Sequence, residues 1–326
     1  MTGNFRNRIL KGKQNMKNSL NIQFQKCLLL LDKNRNDEAK EMLLQIISKA
    51  AESGDELNSI RSCAVLGEVY FLENDFENAK KYLQEAVIDN EDFDDLLDFE
   101  KNQAKETLEK IKTAEILIDF MQKVKINLEI IYIELKKRGY QFQTEVLISS
   151  DFALQEPLKN HAELLTKLQT NISKFGCLPL SLRYFYQIVG SVNFCWDINT
   201  SEDCFWEMAD PLQVFSLDDV LAMVEDEDWT EQMQEYEEDE AIKTAFLEIS
   251  PDVFHKDNVS GGMSYALKLS KDSSIDAELL FYKSKISFMN YLKSAIEHGG
   301  FIGMVDKENQ DFQSYLMDVK KALIEF

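Results

Sequence analysis

Residues 178–194, LPLSLRYFYQIVGSVNF, decide the fold of the second half of the chain. Pro179 fits the start of a helix because its fixed φ angle is already helical, so the stretch predicts a helix over Leu180–Ile188. Gly190 marks a turn after this helix, and the residues that follow it have the character of a short strand. A helix that leads through a turn into a strand is typical of a domain that mixes helices with a sheet.

Sequence on either side of this stretch continues the mixed pattern. The predicted strands are 141–151, 191–198 and 211–217, and the predicted helices are Glu156–Ser173 and Phe288–His298. The last of these helices ends at Gly299 and Gly300, because glycine is favoured directly after the last helical residue.

Residues 260–270 and 277–284 predict an antiparallel pair of strands joined by the polar turn 271–276. Apolar and polar side chains alternate in the first of them, which is the period of a half-buried strand. The side chains expected to face the core are Met263, Tyr265, Leu267 and Leu269, and those expected to face solvent are Ser264, Ala266, Lys268 and Ser270. We therefore predict an α+β domain with a mainly antiparallel sheet flanked by helices over residues 139–326.

The first half of the chain has a different composition. All four prolines lie beyond residue 150, and residues 1–138 contain only four glycines. Leu, Lys, Glu and Ala, which are abundant here, lose little rotamer freedom in a helix. Residues 1–138 are therefore predicted to be a separate helical domain.

Residues 63–86 of this helical half resemble a tetratricopeptide repeat. Small residues at Gly67, Ala79 and Ala86 allow two antiparallel helices to approach closely, and Leu66, Tyr70 and Leu83 fill the space between them. The chain departs from the repeat pattern at Cys63, Leu83 and Glu91, where Trp, Phe and Pro are usual. Ala39 and Leu43 predict a second such unit, and Phe99–Lys137 predicts a third helical stretch, since about three units bury a continuous core. A plain helical bundle is the alternative.

Charge and composition restrict the partners of the chain. The formal net charge is −22, from 36 basic and 58 acidic residues, and such a surface repels nucleic acid. Residues 1–31 carry six basic residues and no acid, which favours a solvated terminus; contact with a membrane or an acidic surface is the alternative. The sequence has no secretory signal and no apolar run of the roughly 20 residues that a membrane span requires. Its five cysteines form no CxxC pair. We therefore expect a cytoplasmic protein.

Several runs in residues 139–304 resemble the SMI1/KNR4 (SUKH) superfamily of bacterial immunity-type proteins. These runs are LPLSLRYFYQIVGSVNF, DPLQVFSLDDV, EISPDVFHKDNVSGG and YLKSAIEHGGFIGM. The positions that carry the resemblance best are Leu178, Pro179, Leu182, Phe185, Tyr186 and Gly190. The resemblance implies an α+β domain without catalytic residues that binds and neutralises a toxin of a contact-dependent or polymorphic toxin system. The long helical N-terminal half is a departure from the family.

Motifs for catalysis, metal or cofactor binding are not predicted. Gly261 and Gly262 are followed by a predicted strand, whereas a phosphate loop needs a helix N-terminus. His161, His255 and His298 lie far apart in sequence, and none has a second ligand at metal-binding spacing. We expect neither an enzyme nor a cofactor.

An acidic segment is the most unusual feature of the chain. Residues 184–242 contain 17 acidic residues and no Lys or Arg, and all three tryptophans lie among them. Aromatic side chains among charges of one sign are typical of a protein interface; the alternative is a solvated acidic loop with its tryptophans turned into the core. The predicted partner-binding residues are Trp196, Trp206, Asp218, Asp219, Glu225, Asp226, Glu227, Asp228, Trp229 and Glu231.

Two functional hypotheses follow from these patterns. The first is an immunity protein that neutralises a basic toxin domain, such as a nuclease, by presenting carboxylates where that partner binds phosphates. The second is a scaffold or regulatory adaptor that binds a peptide or protein through the helical repeats of residues 1–138.

Overall fold

The computed structural model describes residues 19–87, 94–143, 153–198, 206–259, 261–305 and 307–326, which divide into two units. The first unit comprises the described residues up to Glu115, and the second is Ile116–Phe326. None of the described helices is long and apolar enough to cross a membrane.

The first unit is built from helices. They are α1 (residues 19–31), α2 (Asn36–Ser53), α3 (Glu56–Leu72), α4 (Phe76–Ala86) and the N-terminal part of α5 (Asp94–Lys137). Asp55 and Asp75 cap α3 and α4, because each carboxylate accepts the backbone N–H three residues later, from Asn58 at 3.4 Å and from Asn78 at 3.2 Å.

Helices α3 and α4 approach each other at a glycine. A Cβ atom at Gly67 would lie 2.5 Å from Cγ of Leu83, so no larger residue fits without a shift. Ala79, Leu83 and Ala86 on the facing side of α4 are fully buried. Ala39 and Leu43, which predicted a second unit, are fully buried as well. The predicted close approach is therefore present, while the assignment to tetratricopeptide repeats stays a prediction.

Replacing Gly67 by alanine tests this contact. Alanine normally stabilises an exposed helix relative to glycine, but here the added methyl group would push against Leu83. We expect Gly67→Ala to lower the free energy of unfolding by about 1–3 kcal/mol, measured by denaturation followed by far-UV circular dichroism. Gln84→Ala, at an exposed position of α4, should change it by less than about 0.5 kcal/mol. Equal stabilities of the two variants would contradict the close packing.

The second unit combines helices with two small antiparallel sheets in its described residues. Its helices are the C-terminal part of α5, α6 (His161–Ile172), α7 (Leu180–Ile188), α8 (Leu217–Val224), α9 (Trp229–Glu238), α10 (Val253–Lys256), α11 (Phe288–Glu297) and α12 (Gln310–Lys320). The strands of one sheet are β1 (Leu154–Gln155), β2 (Ser191–Asn193) and β3 (Gln213–Val214), in that order. The strands of the other are β4 (Phe246–Ser250), β5 (Tyr265–Lys268), β6 (Glu278–Leu280) and β7 (Ile286–Ser287), in that order. The chain therefore belongs to the α+β class, as predicted.

Several predicted elements of this unit are confirmed. Helix α7 spans the predicted residues Leu180–Ile188, with Pro179 at its N-cap. Helix α11 ends at Glu297, and Gly299 after it has a φ of 63°, in the left-handed region that favours glycine. Strands β5 and β6 pair antiparallel, with Ala266 opposite Leu280.

Other predictions about this unit need correction. Helix α6 begins at His161 and not at Glu156. Pro157 disfavours a helical conformation at Glu156 but does not account for the start at His161. In β5 the predicted alternation holds for Tyr265, Leu267 and the exposed Lys268, but Ala266, which was expected to face solvent, is fully buried. The predicted strand 141–151 lies mostly outside the described residues.

The two units divide within α5, whereas the predicted boundary between residues 138 and 139 follows the end of this helix. Five apolar residues from the C-terminal part of α5 belong to the core of the second unit. They are Met121, Val124, Leu128, Ile131 and Leu135. The composition of a continuous helix does not change where its packing partners change, so the division left no signal in the sequence.

A buried ion pair lies in the second unit. Nζ of Lys256 is 2.7 Å from Oδ1 of Asp210, and the two side chains are 0% and 4% exposed. The hydroxyl of Tyr265 donates to Oδ2 of Asp210 at 3.1 Å. Asp210 has a φ of 47°, which Asp and Asn tolerate better than most residues. Lys256 and Asp210 are 46 residues apart, so local sequence could not predict their pairing.

Removal of one partner leaves the other charge buried without compensation. We expect Lys256→Met to lower the free energy of unfolding by about 3–5 kcal/mol. Adding Asp210→Asn, which keeps a side chain suited to the positive φ, should recover about half of that loss, because the uncompensated carboxylate is gone. Denaturation of the two single variants and the double variant measures this coupling. Additive losses would contradict a direct interaction.

Candidate functional site

Helix α8 presents carboxylates at its N-terminus. Ser216 caps the helix, with its hydroxyl 2.5 Å from Oδ2 of Asp219 and 3.3 Å from the backbone N–H of Asp219 that it accepts. Asp218 and Asp219 lie in the first turn, where the helix dipole favours negative charge. The opposite face of the helix is buried, through Leu217, Val220, Leu221 and Val224. Because the apolar face of this amphipathic helix is buried, Asp218 and Asp219 are exposed to solvent.

The loop after α8 and helix α9 extend the acidic surface. Asp226 stabilises the loop by accepting the backbone N–H of Asp228 at 3.0 Å. Trp229 and Met233, four residues apart on α9, point into the core. At the end of α9, Asp239 accepts the N–H groups of Ala241 and Ile242 at 2.8 and 2.9 Å.

Together these elements expose 12 carboxylates, which we call the acidic surface. They are Asp218, Asp219, Glu225, Asp226, Glu227, Asp228, Glu231, Glu235, Glu237, Glu238, Asp239 and Glu240. Lys167 pairs with Glu225, and Lys271 pairs with Glu237 at 3.1 Å. The hydrogen bond from Lys167 is the main reason that the pKa of Glu225 is lowered. The acids of this surface greatly outnumber these two lysines, so its net charge is strongly negative.

An open pocket of about 500 Å³ is lined by residues of α8, α9 and β4 and by one carboxylate of the acidic surface, Asp226. Met223 contributes apolar surface, Leu247 lines the pocket but is only 1% exposed, and Asp226 and Glu248 contribute carboxylates. A Lys or Arg side chain combines an apolar stem with a cationic head, and carboxylates form strong charge-assisted hydrogen bonds with such heads. The pocket therefore suits a basic side chain of a protein partner.

Trp229 does not stand on the surface as the sequence predicted. It is 8% exposed, and its ring meets Phe175 edge to face at 5.4 Å between centroids. Only an edge of the residue reaches the pocket. The prediction of an exposed anchor at this position is wrong, because the spacing of Trp229 and Met233 turns both inward.

Trp206 and Trp196 are also packed inside the second unit. Trp206 is 6% exposed, its indole N–H donates to Asp311 at 3.1 Å, and its ring centroid lies 4.9 Å from that of Phe301. Trp196 is partly buried, with its ring 5.0 Å from Tyr140. The interior, which was the alternative interpretation of the tryptophans, is thus their main environment.

The acidic residues of 184–242 lie in different environments. Asp197 and Asp210 are 2% and 3% exposed, so they do not belong to an outer face. Glu202 and Asp203 lie outside the described residues. The seven predicted acidic site residues, from Asp218 to Glu231, are all exposed, and they lie on α8, on α9 and in the loop between them. Whether they bind a partner stays a prediction.

Sequence reasoning missed the apolar part of this site. Leu217, Val220, Leu221 and Val224 follow the helical spacing of one buried face, and this signal was available to locate α8. The contribution of Leu247 and Glu248 had no such signal, because β4 reaches the pocket only through the tertiary fold.

In the described parts of the chain, no three His, Cys, Asp or Glu side chains are arranged to hold a metal ion. Comparison of the chain with protein-family models, with curated proteins and with solved structures found no match.

Core and surface roles on α9 can be separated by two nearby substitutions. Trp229→Ala should lower the free energy of unfolding by about 3–5 kcal/mol, because it leaves a cavity beside Phe175. Glu231→Ala, on the exposed side of the same helix, should change it by less than about 0.5 kcal/mol. Thermal or chemical denaturation provides both values. If Trp229→Ala is as stable as Glu231→Ala, Trp229 does not contribute to the core, and the prediction of an exposed binding residue at this position would be correct.

Proposed function

We propose that this chain is a non-catalytic protein-binding protein of the immunity type, which neutralises a basic toxin domain through the acidic surface. The observation that carries this proposal is the exposure of 12 carboxylates on α8, on α9 and in the loops beside them, together with an open pocket to which Asp226 and Glu248 contribute carboxylates. The resemblance of residues 139–304 to the SUKH superfamily supports the same function.

Charge and pocket contribute to binding in different ways. Clustered carboxylates attract a basic partner over a distance and raise the association rate, by about 10 to 1000-fold at low salt. Affinity needs desolvated contacts as well, and these come from a small number of central residues. Met223 supplies apolar contacts, while Asp226 and Glu248 orient the cationic head of an inserted side chain.

The choice of partner follows from the chemistry of the surface. A nuclease binds the phosphates of its substrate with basic residues, and a cluster of carboxylates is complementary to the same residues. A protein with this surface blocks a nuclease by covering its substrate site and needs no catalytic group of its own.

Charge reversal tests the proposal. The variant Glu225→Lys, Asp226→Lys, Glu227→Lys and Asp228→Lys should bind a basic toxin domain from the same genomic locus at least about ten-fold more weakly at low salt. The dependence of its affinity on salt should also be flatter, since fewer charges attract the partner. Calorimetry at several salt concentrations measures both, and co-expression with the toxin domain measures protection of growth.

A matched control separates local from total charge. Glu129, Asp272, Glu297 and Glu325 are exposed acids outside the acidic surface, and their replacement by Lys changes the net charge by the same amount. This control should keep most of the affinity and the protection of growth. Equal losses in both variants, or no loss in the first, would contradict the proposal.

A second candidate function is a scaffold or adaptor that uses the first unit. The rings of Tyr70 on α3 and Tyr82 on α4 stack at 5.7 Å and are partly exposed, and aromatic side chains are frequent anchors for peptides. A partner that binds the charge-reversed variant with full affinity, and loses affinity when Tyr82 becomes Ala, favours this function.

A further inference from the structure

A second pocket, with a volume of about 240 Å³, lies on one face of the three-stranded sheet. Gln155 lies opposite Ser191, and Gln213 lies opposite Asn193, in the pairing of its strands. Side chains that are two residues apart on a strand, or directly opposite each other on paired strands, share a face of a sheet. These four polar side chains therefore line the pocket together. The valines that alternate with them are buried in the core.

The pocket is polar but almost uncharged. Asp219 is the one charged side chain among its ten described lining residues, although charged residues make up 29% of the chain. Its carboxylate accepts the hydroxyl of Ser216 and is exposed to water, which screens its charge. The described lining contains no Lys or Arg that could neutralise an anion. The lining therefore favours a neutral polar ligand over an ion of either sign.

Hydrogen bonds within the protein fix the orientation of Gln143, which also lines the pocket. The backbone N–H of Cys195 can only donate, so the atom of Asn193 that it meets at 3.0 Å is Oδ1. Nδ2 of Asn193 is therefore the atom that faces Gln143, and it donates to Oε1 of Gln143 at 3.1 Å. Because Oε1 is engaged inside the protein, Nε2 of Gln143 is the group available to a ligand.

Two more glutamines of the pocket have the same arrangement. Oε1 of Gln155 accepts the hydroxyl of Ser191 at 3.1 Å, and Oε1 of Gln213 accepts the thiol of Cys195 at 3.2 Å. Burial raises the pKa of this thiol to about 12, so the thiol keeps the proton that it donates. Within the described ranges, the Nε2 groups of the three glutamines have no hydrogen-bond partner. The pocket thus offers several amide donors to a ligand that carries oxygen acceptors.

We infer that this pocket binds one ring of a neutral saccharide. A sugar hydroxyl both accepts and donates hydrogen bonds, so one ring can satisfy the glutamine amides and the carboxylate of Asp219 together. Phe215 lines the pocket as well and offers apolar surface to the C–H groups of the ring. The pocket is smaller than the roughly 300–1,000 Å³ of drug-sized sites, which suits a single ring. An acidic sugar is disfavoured because Asp219 would repel it.

Ligand-observed NMR titration of the full chain tests the inference with uncharged glycosides. The probes are the methyl α-D-pyranosides of glucose, galactose and mannose, and we expect saturable binding of at least one of them. Two controls are 2-methoxytetrahydropyran, which has the same ring without its hydroxyl groups, and the uronate of the sugar that binds. Both should bind at least about ten-fold more weakly. Binding of none of the three glycosides, or equal binding of either control, overturns the inference.

Glutamate substitutions locate the site and keep its internal hydrogen bonds. Glutamate retains the oxygen that accepts at Gln143 and Gln155, but it replaces Nε2 by an oxygen that donates nothing when ionised. The variant Gln143→Glu with Gln155→Glu should weaken glycoside binding at least about ten-fold. The matched control, Gln122→Glu with Gln313→Glu, adds the same charge at exposed positions outside the pocket and should leave the affinity unchanged.

Equal affinities of the two double variants overturn the inference. If circular dichroism shows that the variant with glutamates at 143 and 155 does not fold, the single variant Gln143→Glu, at an exposed position, is compared with Gln122→Glu. Equal glycoside affinities of these two single variants overturn the inference as well.

A last comparison separates this site from the proposed toxin binding. Asp219 belongs to both the acidic surface and the pocket, whereas residues 225–228 do not line the pocket. The variant with lysines at positions 225–228 should therefore bind the glycoside with the affinity of the unmodified chain. Loss of glycoside binding in this variant overturns the inference and leaves the proposed function standing. Loss of toxin binding alone affects the proposed function and not the pocket.

Discussion

Packing of the apolar faces of α8 and α9 into the core determines where the carboxylates of the second unit lie. Each helix buries a stripe, with Leu217 and Val220 on α8 and Trp229 and Met233 on α9. Burial of one such side chain contributes about 1.5–3 kcal/mol. Since a helix has a polar face opposite its apolar one, the buried stripes leave the acids no position except the surface. The acidic surface is thus a consequence of the core.

Crowded carboxylates repel one another, and local structure offsets part of this repulsion. Asp218 and Asp219 lie at the N-terminus of α8, where the helix dipole stabilises them. Asp226 and Asp239 accept backbone N–H groups of their own loops. The remaining repulsion is screened by salt, with a Debye length of about 10 Å at 0.1 M. A bound basic partner would neutralise part of the remaining repulsion between the carboxylates. The same electrostatic interactions would therefore affect both binding and stability.

Sequence alone predicted the elements whose signals are local. Helix α7 was fixed by Pro179 and its apolar spacing, and the β5–β6 pair by two apolar runs around a polar turn. Trp206 and Trp229 are buried where their acidic neighbours predict exposed anchors, and the four-residue spacing of Trp229 and Met233 explains the burial of Trp229. The exposure of the acids from Asp218 to Glu231 followed from charge alone. Asp210 and Lys256 could not be paired, since only the tertiary fold brings distant residues together.

Carboxylates act in two physical environments in this unit. On the acidic surface, water and salt weaken each charge, so binding there depends on the sum of many charges and on apolar contacts beside them. At Asp210 burial removes the water, and one carboxylate interacts strongly with one ammonium group, that of Lys256 at 2.7 Å. Raising the ionic strength weakens interactions of the first kind far more than those of the second. Salt therefore reduces binding at the acidic surface at concentrations that leave the buried ion pair largely unaffected.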